Sequence, residues 1–468
     1  MEKLRIAIVG AGPAGIYAAD LLLKAERDFE VSIDLFDRLP APYGLVRYGV
    51  SPDHPRIKGI INALRDVLDR GDIRFFGNVN FGSDLTIEDL RRHYHAVIFA
   101  TGAISDAPLV VPGIDAEGSY GAADFVSWFD GHPDVPRTWP LEAREVAVIG
   151  NGNVALDVSR MLIKHADDLL PTEIPDNVYQ GLKQNPITDL HLFGRRGPAY
   201  VKFTPLELRE LGEVRDVDMV LNPADFAHED PYAEALVASN KQALVISRVM
   251  NKWLAEQAEH EEAGTPGASR RLHMHFWSKP IGVVTETDAA GAERVSAIRV
   301  ERTAPDGQGG IVDTGEITEI PVQSLYRAVG YFGSPLDEVP FDEDRGVIPN
   351  DGGRVRDAEG TQVPGVYATG WIKRGPVGLI GHTKSDAMET IEGLLADRGA
   401  LWTPEAAEED AITALLEERG VPVTTVEGWH RLDAHEIALG EAAGRPRIKV
   451  VPREDMTAVS RAEDASPR

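Results

Sequence analysis

Residues 4–22 read LRIAIVGAGPAGIYAADLL, and residues 145–160 read EVAVIGNGNVALDVSR. Each is an apolar run of strand character, then a glycine turn, then a helix-forming stretch. The first turn is Gly10-x-Gly12-x-x-Gly15 and the second Gly150-x-Gly152-x-x-Ala155. In such a turn the first glycine permits the tight bend, and the second lets the backbone approach a pyrophosphate. The helix N-terminus then offers unpaired N–H groups to the negative charge. One glycine turn is weak evidence. Two, each between an apolar strand and a helix, predict two dinucleotide sites. Ala155 in place of the third glycine is a tolerated variant that sets helix and strand slightly farther apart.

The strands that follow end differently. After the first loop the next strand ends LFD, placing Asp37 22 residues beyond Gly15. A carboxylate there accepts hydrogen bonds from two ribose hydroxyls and repels a 2′-phosphate, which suits the adenosine of FAD or NAD. After the second loop the matching strand ends LFGRR, with Arg195 and Arg196 where an acid would stand. Guanidinium forks match a phosphate, and each charge-assisted bond is worth about 1.5–3 kcal/mol. The second site is therefore expected to take NADP.

The 468 residues exceed one ordinary core, so two or three domains are expected. A formal charge of −27 disfavours nucleic acid as a partner. No apolar run approaches the roughly 20 residues of a membrane span. The chain enters its first strand by Leu4, leaving no room for a signal or transit peptide, and a cytoplasmic protein is expected. There is no cysteine, so no disulfide, no thiolate metal site, no cysteine-held iron–sulfur cluster and no redox-active Cys pair. No metal is expected.

Along the chain, a proline-rich segment and a helical stretch to about Asp69 follow the first βαβ unit. HAVIFATGA (95–103) is an apolar strand stopped by glycine, and GVYATG (365–370) echoes it late in the chain. Between them the second unit runs from Val146, and 272–330 read as a small antiparallel addition. The expected fold is α/β, with two Rossmann-like dinucleotide-binding domains of the three-layer ββα type, one inserted into the other. The FAD-binding domain takes residues 1–104 and 332–468, and the NADP-binding domain 105–331.

The chain resembles the adrenodoxin-reductase-like ferredoxin–NADP reductases, including their bacterial members. The matching pieces, in family order, are GAGPAGIYAAD, LPAPYGLVRYGVSPDHPRIK, FFGNV, IGNGNVALDVSR, GRRGP, FTPLELREL, ATGWIKRGPVGLIGHTKSDA and GWHRLDAHEIALGEAAGRPRIK. The resemblance implies that FAD contacts the loop residues Gly10, Gly12, Pro13, Ala14 and Gly15, together with Asp37, Leu45, Val79, Trp371, Gly378, Leu379 and Ile380. It implies that NADP contacts Asn151, Gly152, Asn153, Val154, Arg195, Arg196, Glu207 and Gly378. His54 and Glu210 match positions proposed to hold or move protons near the flavin. Relatives commonly carry Glu where Asp37 stands, so the reach to the ribose is shorter here.

The residues allow their own readings beside these. Trp371 follows the late ATG, where many flavoproteins carry an Asp; stacking near the isoalloxazine is expected there. His54, between Asp53 and Pro55, reads alone as a structural hydrogen-bonder. Glu207 and Glu210 share one helical face. The implied reaction passes hydride from NADPH to the flavin, then single electrons to a separate ferredoxin or flavodoxin, the flavin supplying the two-to-one splitting. A diaphorase, a flavin monooxygenase and a non-catalytic NADP sensor share the architecture. An acidic ferredoxin needs a local positive patch, for which Arg47, Arg56, Lys58, Lys373 and Arg374 are the expected residues.

Overall fold

The computed structural model describes residues 3–264, 267–377 and 380–462. The chain opens with β1 (Lys3–Val9), the helix Pro13–Lys24, β2 (Glu30–Asp37), β3 (Ile73–Gly77) and β4 (Ala96–Phe99). All pair in parallel, β1 lying between β4 and β2 with β3 outside β2. Ile6 and Ile8 belong to one core and Ala7 and Val9 to another, on opposite faces. This is why the strand reads as an unbroken apolar run rather than an alternating one.

The chain leaves through the short β5 (Ser105–Asp106) and builds a second sheet. Its strands are β6 (Ser119–Gly121), β7 (Glu145–Ile149), β8 (Asp189–Phe193), β9 (Val217–Leu221), β10 (Arg270–His275) and, later, β14 (Ser324–Arg327). The order across this sheet is β6-β14-β7-β8-β10-β9. Between β10 and β14 stand β11 (Ser278–Thr287), β12 (Glu293–Pro305) and β13 (Ile311–Pro321), an antiparallel meander. It packs on the face carrying Ala147 and Ile149, whereas Val146 and Val148 face the helices. The antiparallel addition expected over 272–330 is thus narrower. β10 and β14 are parallel strands, with β14 pairing directly with β7.

The chain returns through β15 (Tyr331–Phe332), which pairs antiparallel with β5, so exit and re-entry are zipped together. It then adds β16 (Asn350–Asp351), β17 (Arg354–Arg356) and β18 (Gln362–Ala368), the last parallel to β4. All six strands of the second sheet therefore lie, in sequence, between strands of the first. Among the described residues no helix is long and apolar enough to cross a membrane.

The candidate active site

Both glycine turns close in the same way. Gly10 N–H donates to Phe36 O at 2.7 Å, and Gly150 N–H donates to Phe193 O at 3.1 Å. Gly10 has φ +112°, and a Cβ there would lie 2.4 Å from Ala100 O; Gly150 has φ +152°, and its Cβ would lie 2.2 Å from Ala328 O. Each first glycine is thus wedged against the end of the neighbouring strand. A Cβ on Gly15 would stand 2.0 Å from Gly10 O, so the first helix packs as closely as the third glycine allows. Gly152 differs: a Cβ there meets nothing within 4 Å. Its surroundings are open.

The helices that leave these turns, Pro13–Lys24 and Asn153–Ile163, have Gly12 and Gly152 at their N-caps and no side-chain cap. Elsewhere Thr86, Thr204, Asp230, Asn240 and Thr425 cap helices with their side chains. The leading N–H groups of Ala14 and Val154 therefore stand at helix ends ready for an anion. Asn151 Oδ1 is buried without a partner among the described residues, while Asn153 Oδ1 accepts from Thr204 N–H at 2.8 Å.

At the end of β2, Asp37 accepts from the N–H groups of Ala11 (2.8 Å) and Leu39 (2.9 Å). Burial raises its carboxyl above the usual range despite those bonds. It braces the first loop while keeping acceptor capacity on both oxygens. Val79 is buried, its N–H donating to Asp37 O at 2.9 Å, and half-buried Leu45 opens the short helix Leu45–Tyr48. At the end of β8 the guanidinium of Arg195 is exposed and makes no hydrogen bond or ion pair with the described residues. Arg196 is committed: it donates to Gly309 O and lies 4.0 Å from the centroid of the Tyr200 ring.

Half-buried Trp371 starts the helix Trp371–Arg374, and Asp386 accepts from Gly370 N–H at 2.6 Å, holding that turn. Gly378 and Leu379 lie outside the described residues, as does the side chain of Ile380, which opens the helix Ile380–Ala396. Trp371 and Val154 pack against one small cluster formed by Ala103, Ala123 and Tyr331. The two sites meet there.

Beside that cluster is a buried charge network. His54, 3% exposed, has Nε2 2.8 Å from Glu207 Oε2 and 3.1 Å from Asp157 Oδ1, and Nδ1 2.8 Å from Glu210 Oε2. Arg160 grips Asp53 with two bonds (2.9 and 3.0 Å) and Asp157 with one (2.7 Å); Lys164 meets Asp53 at 2.7 Å. Burial opposes a charge on His54, but hydrogen bonds to Asp157 and Glu207 outweigh it and push the imidazole up to about 10. Arg160 and Lys164 overcome burial to hold Asp53 far below the carboxylate range. Burial, with repulsion from Glu207 and Asp53, raises Glu210.

Arg160 Nη2 also abuts His54 Nε2, a contact that favours an unprotonated nitrogen. Four carboxylates against two fixed cations decide for the proton. The network holds it at His54, facing a partly exposed Glu210. Atoms of His54, Asp157 and Glu207 converge within 4.8 Å, a spacing that suits a metal ion, but the Arg160 guanidinium is the cation at that spot.

Sequence reading placed Glu207 beside NADP, and the structure turns its carboxylate to His54 and Arg160. It missed Asp53, Asp157 and Arg160. The Asp157–Arg160 spacing on a helix leaving a glycine turn was the available signal. The expected positive patch is corrected. Arg47 is buried on Glu436 (2.6 Å), Lys58 on Glu173 (2.6 Å) and Lys373 on Glu389 (2.6 Å), and Arg374 pairs with Asp386 at 3.2 Å. Of the five, Arg56 alone is fully exposed.

Residues 4–185 match the family described as pyridine nucleotide-disulphide oxidoreductase. The chain is 40% identical over 467 residues to the NADPH-ferredoxin reductase FprA of Mycobacterium tuberculosis, covering 96% of this chain and 97% of that one. It is 37% identical to the mitochondrial NADPH:adrenodoxin oxidoreductase of Arabidopsis thaliana, covering 98% and 96%. The solved structure of Mycobacterium tuberculosis FprA in complex with NADPH superposes with a TM-score of 0.87 at 38% identity, covering 98% of this chain and all of that one.

Proposed function

The chain belongs to the adrenodoxin-reductase-like family of NADPH–ferredoxin reductases, and on that premise we propose that it is an FAD-dependent oxidoreductase drawing hydride from NADPH and delivering single electrons to a ferredoxin-type iron–sulfur protein. The observation that carries this reading is the pair of uncapped glycine loops meeting at Trp371, Val154 and Tyr331. The reversible ferredoxin–NADP(+) reaction, flavodoxin as a second acceptor and a cytoplasmic location belong to the same proposal.

The residues fit both groups. At the first site the uncapped helix end after Gly12 suits a pyrophosphate, and Asp37 retains acceptors for ribose hydroxyls. At the second, the open space at Gly152 and Asn151 Oδ1, unpartnered among the described residues, suit a dinucleotide, and Arg195, unpaired among them, suits a 2′-phosphate. Flavin, when bound, accepts hydride and releases electrons singly. Leu45, Val79 and Trp371 would line the flavin, Gly378, Leu379 and Ile380 would complete its turn, and Val154 and Trp371 would keep water from the junction.

His54 and Glu210 hold the proton taken up with the hydride. It resides on the imidazole, and Nδ1 lies 2.8 Å from Glu210 Oε2, an oxygen that is itself buried on a side chain 33% exposed. Glu207 holds Nε2 and thereby orients the ring. The relatives' wider description includes disulfide reduction, but a chain without cysteine has no dithiol to carry it.

Acid precipitation should release FAD, one per chain, and anaerobic NADPH should bleach the visible band of the native protein. Release of FMN, or a band untouched by NADPH, contradicts the proposal; the latter is the behaviour of an NADP sensor.

A further inference from the structure

Asp53 does more than stand beside His54. Its side chain is 8% exposed, and both of its oxygens are occupied. Ser51 Oγ donates to Oδ1 at 2.6 Å, Arg160 spans both oxygens at 2.9 and 3.0 Å, and Lys164 Nζ reaches Oδ2 at 2.7 Å. Ser51 and Asp53 precede the crossing at β5, whereas Arg160 and Lys164 follow it. The grip therefore joins the two units. The other carboxylates on Arg160, Asp157 and Glu207, stand in the same inserted part as the arginine itself. They anchor its guanidinium but carry nothing across.

What Asp53 holds is the helix behind the second glycine loop. Asn153–Ile163 begins after Gly152, and Arg160 and Lys164 share one face at its opposite end. From Asn153 to Arg160 is about two turns, or about 10 Å of helical rise. At the near end Val154 packs with Trp371, where the two sites meet. A helix is stiff over that length, so fixing Arg160 fixes Val154. The backbone leaves the angle open, because the units are joined by the short ribbon of β5 and β15. Other ties between the units grip elsewhere. Lys58 and Lys449 hold Asp130 and Glu173, and Arg445 holds Asp176, all outside this helix. Desolvation offsets much of a buried pair's attraction, so what the Asp53 grip adds is chiefly register.

We propose that Asp53 is a positioning residue for hydride transfer, fixing the second glycine loop against the flavin site through Arg160 and Lys164. This deepens the reading above and rests on it. The test compares the holoprotein with Asp53→Asn, which keeps the shape and loses the charge, and with Lys164→Met. Lys164 bonds Asp53 and not His54, so the second variant separates the tie from the proton. Flavin reduction at saturating NADPH is followed by stopped flow, NADP+ affinity by calorimetry, and residues 153–163 by amide hydrogen exchange. A misplacement of about 1 Å can cost about 100-fold in rate, so Asp53→Asn should slow reduction at least about 10-fold and Lys164→Met about 3-fold. Affinity for NADP+ should stay within about 2-fold of wild type, while amide exchange quickens in both variants. Reduction or exchange unchanged in both variants, or a loss of rate matched by an equal loss of affinity, overturns the proposal. So does slowing by Asp53→Asn alone, which would place the effect at His54. A wild-type flavin that NADPH does not bleach overturns the reading beneath it.

Discussion

Two adjacent arginines differ in their surroundings. Arg196 is bound to Gly309 O and the Tyr200 ring, whereas Arg195 makes no hydrogen bond or ion pair with the described residues and, on the proposed reading, closes on a 2′-phosphate. Arg195→Ala should therefore lower kcat/KM for NADPH about 10- to 100-fold, mainly through KM, and leave NADH almost unchanged. Equal losses with both nucleotides would mark the residue as structural. Arg196→Ala should in addition loosen the turn around Gly309. At His54 the sign of the pH effect is fixed by the direction of the shift. Its pKa rises from 6.5 to about 10 on folding, so the stabilisation is full below about 6.5 and is lost as pH climbs through 10. The gap in Tm between the wild type and His54→Gln should narrow from pH 6 to pH 10; a constant gap would deny the network its proton. Arg195 and Arg196 were legible in the sequence because they stand at a fixed place after a strand. The neighbours of His54 were not, because Asp157 and Arg160 lie more than 100 residues away and meet it only through the packing of the two units.

The two loops share a plan and differ in what fills the space around them. Gly10→Ala puts a methyl into Ala100 O and demands a left-handed backbone, so it should cost both fold and flavin. A Cβ on Gly152 meets no atom within 4 Å among the described residues beyond its own chain neighbours. Gly152→Ala should keep wild-type Tm and FAD content while raising KM for NADPH at least about 10-fold, because the methyl enters the space kept for the pyrophosphate. A Gly152→Ala enzyme with unchanged KM would contradict the assignment of that loop. The strand–turn–helix order of both loops was readable from apolar runs and glycines. The edges of the antiparallel meander were not, since β10 (RRLHMH) and β14 (SLYR) are short, largely polar runs whose parallel pairing depends on distant partners.

Across the whole molecule, the C-terminal segment joins what the insertion separates. Lys449 Nζ, fully buried, sits 2.9 Å from Glu173 and 3.4 Å from Asp130, both in the inserted part, and Arg445 meets Asp176 at 2.7 Å. Lys449→Met leaves buried carboxylates with Lys58 as their remaining lysine and should cost about 3–5 kcal/mol in urea unfolding. A loss below about 1 kcal/mol would mean that the pairing is incidental. The same burial explains why the docking residues were misread: charge is visible in a sequence, exposure is not. With a net charge of −27, attraction to an acidic ferredoxin must come from local cations and should be screened by salt. The central claim, that hydride from NADPH leaves as single electrons for an iron–sulfur partner, is tested most directly by NADPH-driven cytochrome c reduction with and without added ferredoxin, at low and high ionic strength. The account predicts a rate that ferredoxin raises several-fold and salt then lowers. A rate indifferent to both would contradict it.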